Sequence, residues 1–216
     1  MPAARNRKAV RKKAAARRRE RHAELARTDI LEAAAASFAK LGYREATVQD
    51  IAARAGFTAA SLYTYFRGKA DIFNGLVDLV LADVDAVFAR PAVSGADFAG
   101  RLESLTQSLF EVAERHHHAV IYFLQLQEQG GFRPGGARRT IPDVLATVQD
   151  WFEQNARPRD LPNLTVREAA VHYWSLSSGV LRLWAHEEGT GSLVAQAPRL
   201  AGFFLHGARG KARSKR

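Results

Sequence analysis

The sequence predicts an all-α protein, with a three-helix helix-turn-helix unit near the N-terminus and a larger helical region after it. Apolar residues recur at helical spacing along most of the chain, and glycine or proline interrupts that spacing at intervals. No segment alternates apolar and polar residues as a half-buried strand does. The 216 residues are enough to bury a core without cross-links, and none is cysteine.

Positive charge is concentrated at the two ends of the chain. The net charge is +10, and residues 1–27 hold eleven Lys or Arg against two Glu. Residues 207–216 hold five basic residues and no acid, so the segment between the ends is mildly acidic. We therefore predict a basic arm at 1–27, either disordered or extending the next helix, and a basic tail at 207–216. Between them we predict a helix-turn-helix domain at 28–74 and a helical domain at 75–206.

Several classes of protein are disfavoured. No run of eighteen apolar residues exists to span a membrane, the N-terminus is too charged for a secretory signal, and the lack of cysteine fits the cytoplasm. No G-x-S-x-G, phosphate-binding glycine loop or H-E-x-x-H is present, so we predict neither catalysis nor a cofactor. The run His116–His118 is interpreted as a partly solvated helix end, because adjacent helical residues point about 100° apart and cannot share one metal.

The elements of the first domain follow from spacing and capping. A helix is predicted over 28–41, which Gly42 ends, and a short link at 43–46 follows it. Thr47 and Asp50 form a capping pattern for a helix over Val48–Ala55, and Gly56 breaks that helix. Thr58 caps a second short helix, predicted over 59–66. Two short helices around a glycine turn are typical of a helix-turn-helix, whose second helix lies in the DNA major groove.

The rest of the chain is predicted as helices separated by irregular breaks. The predicted helices run from Asp71 to Arg90, then over 97–118, 119–129, 141–155, 165–188 and 198–206, with breaks at 91–95, 130–136, 157–163 and 189–191. A capping box of Thr165 and Glu168 opens the helix over 165–188. Apolar residues surround that helix almost completely, so we expect burial on more than one side.

Residues 30–76 resemble the N-terminal domain of TetR/AcrR-family transcriptional regulators. The segment L-Y-T-Y-F-R-G-K, residues 62–69, is the most diagnostic part. The matching residues are Ala33, Phe38, Gly42, Tyr43, Thr47, Val48, Ile51, Ala52, Ala55, Gly56, Leu62, Tyr63, Phe66, Lys69, Ile72 and Phe73. The chain departs from the family pattern at Phe57, Ala60 and Tyr65, where valine, glycine and histidine are frequent.

The resemblance implies a set of DNA contacts. Phosphate contacts are implied for Thr47, Tyr63, Tyr65 and Lys69. Positions facing base edges are implied for Gln49, Thr58, Ala59, Ala60, Ser61 and Thr64. These residue types fit the major groove, since glutamine bonds adenine and alanine methyls touch the thymine methyl. No arginine lies between 59 and 66, so we expect modest direct readout, supplemented by the basic arm and by DNA shape.

The resemblance also implies a homodimer and a small-molecule pocket in the second domain. Dimer contacts are expected near Trp174, Leu181, Trp184, Leu200, Phe203 and Phe204. Candidate ligand contacts for a small, largely apolar effector are Phe110, Tyr122, Phe123, Trp151, Phe152 and Tyr173, although each also suits an ordinary core.

The function predicted from these features is transcriptional regulation. We expect a ligand-responsive repressor that binds a pseudo-palindromic operator as a dimer. A nucleoid-associated DNA binder without ligand control remains an alternative because of the basic arm. A small enzyme in the second domain is a third class, for which the sequence shows no nucleophile and base.

Overall fold

The structure is a computed structural model, which describes the backbone of residues 2–91, 97–128 and 141–209 and the side chains of 13–91, 97–126 and 143–207. In these ranges all regular structure is helical, as predicted, and no β-strand occurs. The α-helices are α1 Pro2–Glu45, α2 Val48–Ala55, α3 Ala59–Leu62, α4 Lys69–Phe88, α5 Phe98–Arg115, α6 His117–Glu128, α7 Ile141–Asn155, α8 Val166–His186 and α9 Ala197–Arg209. Short 3-10 turns occur at Pro158–Asp160 and Val194–Gln196.

The chain divides into two compact units, unit 1 over Met1–Leu76 and unit 2 over Val77–Arg216, and the boundary falls within α4. The predicted breaks at 91–95, apart from Pro91, and at 130–136 lie outside the described residues, as do residues 210–216 of the predicted basic tail. Residues 207–209 of that tail belong to α9.

Unit 1 has a small apolar core. Helix α1 packs against α2, and α2 packs against α3. The buried side chains come from all four helices and the turn after α3: Ile30, Ala34, Phe38, Ile51, Ala52, Leu62, Phe66, Ile72, Phe73 and Leu76. Burying each large side chain contributes about 1.5–3 kcal/mol, so this core orients the short helices that lack stability of their own.

Gly75 allows α4 to approach the rest of unit 1 closely. A Cβ atom at this position would lie 3.1 Å from the Phe66 ring and 3.3 Å from the Leu31 side chain. Because packed interiors leave few voids, the absence of a side chain here lets two buried residues fill the space. The packing around Gly75 therefore holds Phe66, at the end of the helix-turn-helix.

Helix α1 begins at Pro2, so the basic arm extends the helix, which was one of the two predicted alternatives. Its described side chains before Ala26 are exposed except for a half-buried Ala23. At 1.5 Å per residue, the 24 residues from Pro2 to Leu25 form a helix about 36 Å long beyond the core. Gly42, at φ 76° and ψ 159°, is non-helical as expected, but the chain resumes helical geometry and continues to Glu45. Of the predicted link at 43–46, residues 43–45 are therefore helical and Ala46 is not.

Helix α3 is shorter than predicted, since it ends at Leu62 rather than at Phe66. The amides of Thr64 and Tyr65 bond carbonyls three residues back, at 3.1 and 2.9 Å, so the chain tightens into turns. The Thr64 hydroxyl also donates to the Ser61 carbonyl at 2.7 Å. This local side-chain bond competes with regular helix geometry and explains the early end.

The helix predicted over 97–118 is also too long. Helix α5 ends at Arg115, and a new helix, α6, begins at His117. His116, at φ −103° and ψ 32°, is turned out of the helix and bonds an aspartate of α4. Smaller corrections apply to α4, which begins at Lys69 and ends at Phe88, and to α8, which ends at His186.

Unit 2 is built around α5, α8 and α9. Helix α9 packs along α5, while α6 and α7 pack against α8. The predicted capping box of Thr165 and Glu168 is present at the start of α8. Aromatic side chains from four helices meet in the core, and Phe152 lies at their centre with no exposed surface. Its ring centroid is 5.7 Å from those of both Tyr173 and Phe204.

Candidate nucleic-acid interface

Helix α2 is fixed at its start by a complete capping box. The Thr47 hydroxyl oxygen accepts from the Asp50 amide at 3.1 Å, and Asp50 Oδ2 accepts from the Thr47 amide at 2.9 Å. The Thr47 hydroxyl also donates to Asp50 Oδ2 at 2.6 Å, and these bonds hold the pKa of Asp50 below its ordinary value. A phosphate contact by the Thr47 hydroxyl would therefore require its proton to turn away from Asp50.

The turn between the helices depends on Gly56, whose φ of 74° and ψ of 22° are left-handed. Its amide bonds back to carbonyls of α2, and the Phe57 amide bonds the Ala52 carbonyl at 2.8 Å. The half-buried Phe57 ring then packs edge-on against Tyr65, with ring centroids 5.9 Å apart. The turn thus orients α3 and the segment after it through both backbone and ring contacts.

Helix α3 carries a polar surface held by a chain of hydroxyl bonds. Thr58 Oγ1 accepts from the Ser61 amide at 3.1 Å and lies 2.9 Å from the Ser61 hydroxyl. Leu62, buried completely, fixes the opposite side of the helix. The structure therefore brings together Thr58, Ser61 and Thr64, three of the side chains implied to face base edges.

The other predicted DNA contacts differ in exposure. Gln49, Ala60 and Tyr63 are exposed, and 54% of the Tyr63 surface is accessible. Ala59 and Tyr65 are half-buried. All of these residues lie on α2, on α3 or in the turn after α3, so they share one short stretch of unit 1.

Lys69 is held in a manner that the sequence did not predict. Its ammonium donates to the carbonyls of Tyr43, Arg44 and Ala46, at 2.6, 3.0 and 2.8 Å. It also lies 4.6 Å from the centroid of the Tyr43 ring. An ammonium has three N–H donors, so a phosphate contact through this group would have to replace one of these bonds. In the free protein Lys69 caps the end of α1.

Arg27, which the sequence predicts as part of the basic arm, also lies beside this surface. Its Nη1 donates to the Tyr65 carbonyl, and its guanidinium carbon lies 4.2 Å from the centroid of the Phe66 ring. The sequence could have indicated this position, because Arg27 precedes the buried residues Ile30 and Leu31 by three and four positions and so lies on the same face of the helix. Arg27 thus ties α1 to the segment after α3.

The six predicted ligand contacts lie in unit 2. Phe110, Tyr122, Trp151, Phe152 and Tyr173 are buried, and Phe123 is half-buried beside Tyr122. The structure brings Trp151, Phe152 and Tyr173 into one aromatic cluster. Their role in ligand binding stays a prediction.

One member of this cluster carries a polar group. The Tyr173 hydroxyl lies 3.0 Å from the hydroxyl of Thr106, which in turn donates to the Leu102 carbonyl at 2.7 Å. Burial raises the pKa of Tyr173 to about 12, although the hydrogen bond with Thr106 opposes the shift. The phenol is therefore neutral at every physiological pH.

An apolar groove of about 370 Å³ lies between α8 and α9. It is lined by Leu164, His172, Ser175, Leu176, Phe203, Phe204 and Gly207. Of these residues, Phe203 on α9 is 70% exposed. Leu183 on α8 is 61% exposed. Among the other predicted dimer contacts, Trp184, Leu200 and Phe204 are buried within the core of unit 2, and Trp174 and Leu181 are half-buried.

The three adjacent histidines are not equivalent. His116 Nε2 lies 2.9 Å from Asp83 Oδ2, and its side chain is only 8% exposed. The rings of His117 and His118 lie against each other, with centroids 3.7 Å apart. Within the described part of the chain, no group of three His, Asp or Glu side chains could hold a metal. His116 therefore ends α5, as the interpretation has it, although its side chain is largely buried, whereas His117 and His118 begin α6.

Comparison with known proteins points to one family. Residues 30–76 match the family described as bacterial regulatory proteins, tetR family, which is the segment that carried the resemblance. TtgR, a helix-turn-helix transcriptional regulator of Pseudomonas putida, is 39% identical over 179 residues, which are 78% of this chain and 84% of TtgR. Among the described residues, no helix is both long and apolar enough to cross a bilayer.

Two further proteins are similar over part or all of the fold. The repressor KstR2 of Mycobacterium tuberculosis is 38% identical over 100 residues, so the chain spans about half the length of this curated relative. The solved structure of KstR2, a ketosteroid transcriptional regulator, has a TM-score of 0.59 at 25% identity, over 86% of this chain and 95% of that one. FadR of Bacillus halodurans, a fatty acid degradation regulator, has a TM-score of 0.67 at 20% identity, over 86% of this chain and 97% of that one.

Proposed function

The chain belongs to the tetR family of bacterial regulatory proteins, and from this premise we propose that it is a ligand-responsive transcriptional repressor. It binds a pseudo-palindromic operator as a homodimer in the cytoplasm. The observation that carries this proposal is the capped α2–turn–α3 unit, with a polar surface at Thr58, Ser61 and Thr64. A buried core holds that unit in one orientation, as base readout requires.

Base readout in this proposal is modest. Helix α3 is a single turn, A-A-S-L, with small side chains at Ala59, Ala60 and Ser61 and a buried Leu62, and it lacks the arginine that most often reads guanine. Gln49 and Thr58 supply polar contacts, and Ala59 and Ala60 supply methyl contacts to thymine. Tyr63 and Tyr65 bind phosphates of the DNA backbone. The basic helical arm adds contacts that do not depend on sequence.

Dimerisation in this proposal uses the outer face of α8 and α9. Phe203, which lines the apolar groove between these helices, and Leu183 on α8 are large, apolar and exposed. Exposed apolar patches of this kind mark interaction sites. A two-fold axis would pair the same face of both subunits and place two copies of α3 in successive major grooves.

The effector in this proposal is small and largely apolar. The aromatic cluster of Trp151, Phe152 and Tyr173 offers an apolar lining with one polar phenol. KstR2, a ketosteroid transcriptional regulator, and FadR, a fatty acid degradation regulator, share the fold, and ketosteroids and fatty acids are both largely apolar. An effector that binds better to subunits with the wrong spacing releases DNA, and a preference of a few kcal/mol is enough.

The test of specific binding is selection from random double-stranded DNA with the purified full chain. We expect enrichment of one palindromic sequence, bound at least about a thousandfold more tightly than unrelated duplexes at physiological salt. Uniform binding to all sequences would instead favour a nucleoid-associated protein. The failure of any palindrome to enrich contradicts the repressor proposal.

Deletion of residues 2–21 tests the role of the arm. We expect weaker binding to the selected palindrome and a smaller dependence of log K on log salt, because phosphate contacts release counterions. Fluorescence anisotropy between 50 and about 200 mM salt measures both quantities. If the affinity and the salt dependence both stay at the full-length values, the arm does not contact DNA.

A further inference from the structure

Arg27 is held in one orientation by two contacts with the segment after α3. Its Nη1 donates to the Tyr65 carbonyl, while its guanidinium lies over the Phe66 ring at 4.2 Å. Phe66 is itself buried and packed against Gly75. A guanidinium that stacks on a fixed ring and bonds a fixed carbonyl has lost most of its rotamer freedom.

The same guanidinium keeps donors that the protein does not use. A guanidinium has five N–H donors, and the bond to Tyr65 uses one of them. Arg27 is exposed, and no acidic side chain in the described part of the chain forms an ion pair with it. Its charge and its remaining donors are therefore available to an anion from outside.

The position of Arg27 indicates what that anion is. Tyr65, whose carbonyl it bonds, is a proposed phosphate contact, and Tyr63 lies two residues before. On the N-terminal side of Arg27, α1 continues into the basic arm. The planar fork of arginine matches the paired oxygens of a phosphate, and a group already ordered pays less entropy on binding.

We propose that Arg27 is a DNA-backbone phosphate ligand, held ready by the Tyr65 carbonyl and the Phe66 ring. This rests on the proposed function. Arg27 joins the sequence-independent contacts of the arm to the sequence-reading segment, and it fixes the register between them. It binds the same phosphate on any duplex, so it contributes affinity rather than base discrimination.

The test compares Arg27→Gln and Arg27→Lys with the full-length wild type. The probes are the palindrome selected from random DNA and a scrambled duplex of equal length. We expect Arg27→Gln to weaken binding to both by about 5- to 20-fold, and to lower the salt slope by about 1 per protomer. We expect Arg27→Lys to keep the slope but to lose affinity several-fold, since lysine lacks the stacked fork. Arg159→Ala, at an exposed arginine of unit 2, is the matched control and should change neither value.

Duplexes with single neutral methylphosphonates separate a phosphate ligand from a residue that only positions Tyr65. Each duplex is measured with the wild type and with Arg27→Gln, as in a double-mutant cycle. Neutralising one particular phosphate should weaken binding of the wild type but should not weaken binding of Arg27→Gln any further. If Arg27→Gln does not fold, as judged by circular dichroism, the cycle is run with Arg27→Lys, where the coupling to that phosphate should be reduced.

An unchanged salt slope in Arg27→Gln, or the absence of any phosphate coupled to Arg27, overturns the proposal while the wild type still selects a palindrome. A wild type that selects none overturns the proposed function instead. The two failures are therefore distinguishable.

Discussion

At the scale of the residue, the phenol of Tyr173 shows how burial determines protonation. Its pKa is about 12 in the folded protein and about 10 in an unfolded chain. The folded state therefore favours the neutral phenol, and this contribution to stability is complete below pH 10. It is lost as the pH rises from about 10 to 12, because the unfolded chain then releases the proton first.

We expect Tyr173→Phe to remove the loss of stability at alkaline pH that the ionisation of Tyr173 causes. Between pH 9 and 12, the free energy of unfolding of the wild type should fall by about 2 to 3 kcal/mol more than that of the variant, since each pKa unit corresponds to about 1.4 kcal/mol. Urea unfolding at a series of pH values measures both curves. Tyr63→Phe, at an exposed tyrosine, should follow the wild type. Parallel curves for the wild type and Tyr173→Phe would contradict the assignment.

The roles of single residues were only partly predictable from the sequence. The capping residues Thr47, Thr58 and Thr165 act over three positions, so the local sequence is sufficient to find them. Arg27 and Lys69 bond partners that lie 38 and 23 to 26 positions away. The charge of the arm assigned Arg27 to DNA and the family resemblance assigned Lys69, because nothing in the local sequence shows a carbonyl brought near by the fold.

At the scale of the element, Asp83 joins α4 to the junction of α5 and α6. Its Oδ2 accepts from Arg115 Nη1 at 2.8 Å and lies 2.9 Å from His116 Nε2. Burial raises the pKa of Asp83, but hydrogen bonds from His116 and Arg115 and their positive charges outweigh it, so the pKa lies below the ordinary value. This contribution to stability is present above about pH 4, the unfolded pKa, and is lost as the pH falls through the folded pKa.

We expect Asp83→Asn to lower the free energy of unfolding by about 0.5 to 1.5 kcal/mol at pH 7, since a partly exposed carboxylate is screened but His116 is buried. The difference from the wild type should shrink below pH 4. Thermal or urea unfolding at pH 7 and pH 3 tests this. Glu103→Gln, an exposed residue on α5, is the control. A difference that stays constant down to pH 3 argues against the ion pair.

The lengths of the elements were predictable where a glycine or a cap ends them. Gly56 ended α2 at the predicted residue, because its left-handed backbone is set locally. The end of α3 depends on the Thr64 hydroxyl bond, and the end of α5 depends on the contact of His116 with Asp83 on another helix. Helical spacing alone could predict neither end.

At the scale of the whole molecule, Phe203 tests the proposed dimer. It is a large apolar side chain with 70% of its surface exposed, beside an apolar groove of about 370 Å³. We expect Phe203→Lys to convert the dimer into a monomer of 23.8 kDa at low micromolar concentration, because it places a charge in an apolar interface. Sedimentation velocity measures the mass. Tyr63→Lys, at another exposed aromatic residue, should leave the dimer intact, and a dimeric Phe203→Lys excludes this face.

The helical class and the family were predictable because the spacing of apolar residues and the segment from Leu62 to Lys69 are local features. The difference in burial between the exposed Phe203 and the buried Phe204 was not predicted. Both were assigned to the dimer interface, yet adjacent helical residues point about 100° apart, and only Phe204 faces the core.

The unbroken course of α1 from Pro2 to Gly42 has a consequence for how the arm can vary. In a continuous helix each residue adds about 100° of rotation and 1.5 Å of length, so the direction of every arm side chain depends on the number of residues before the core. Inserting seven residues between the arm and Arg27 would nearly restore the angular phase, whereas inserting five would turn the arm by about 140°. The direction in which the arm presents its basic side chains therefore depends on the number of residues between them and the core, and this number matters as much as their charge.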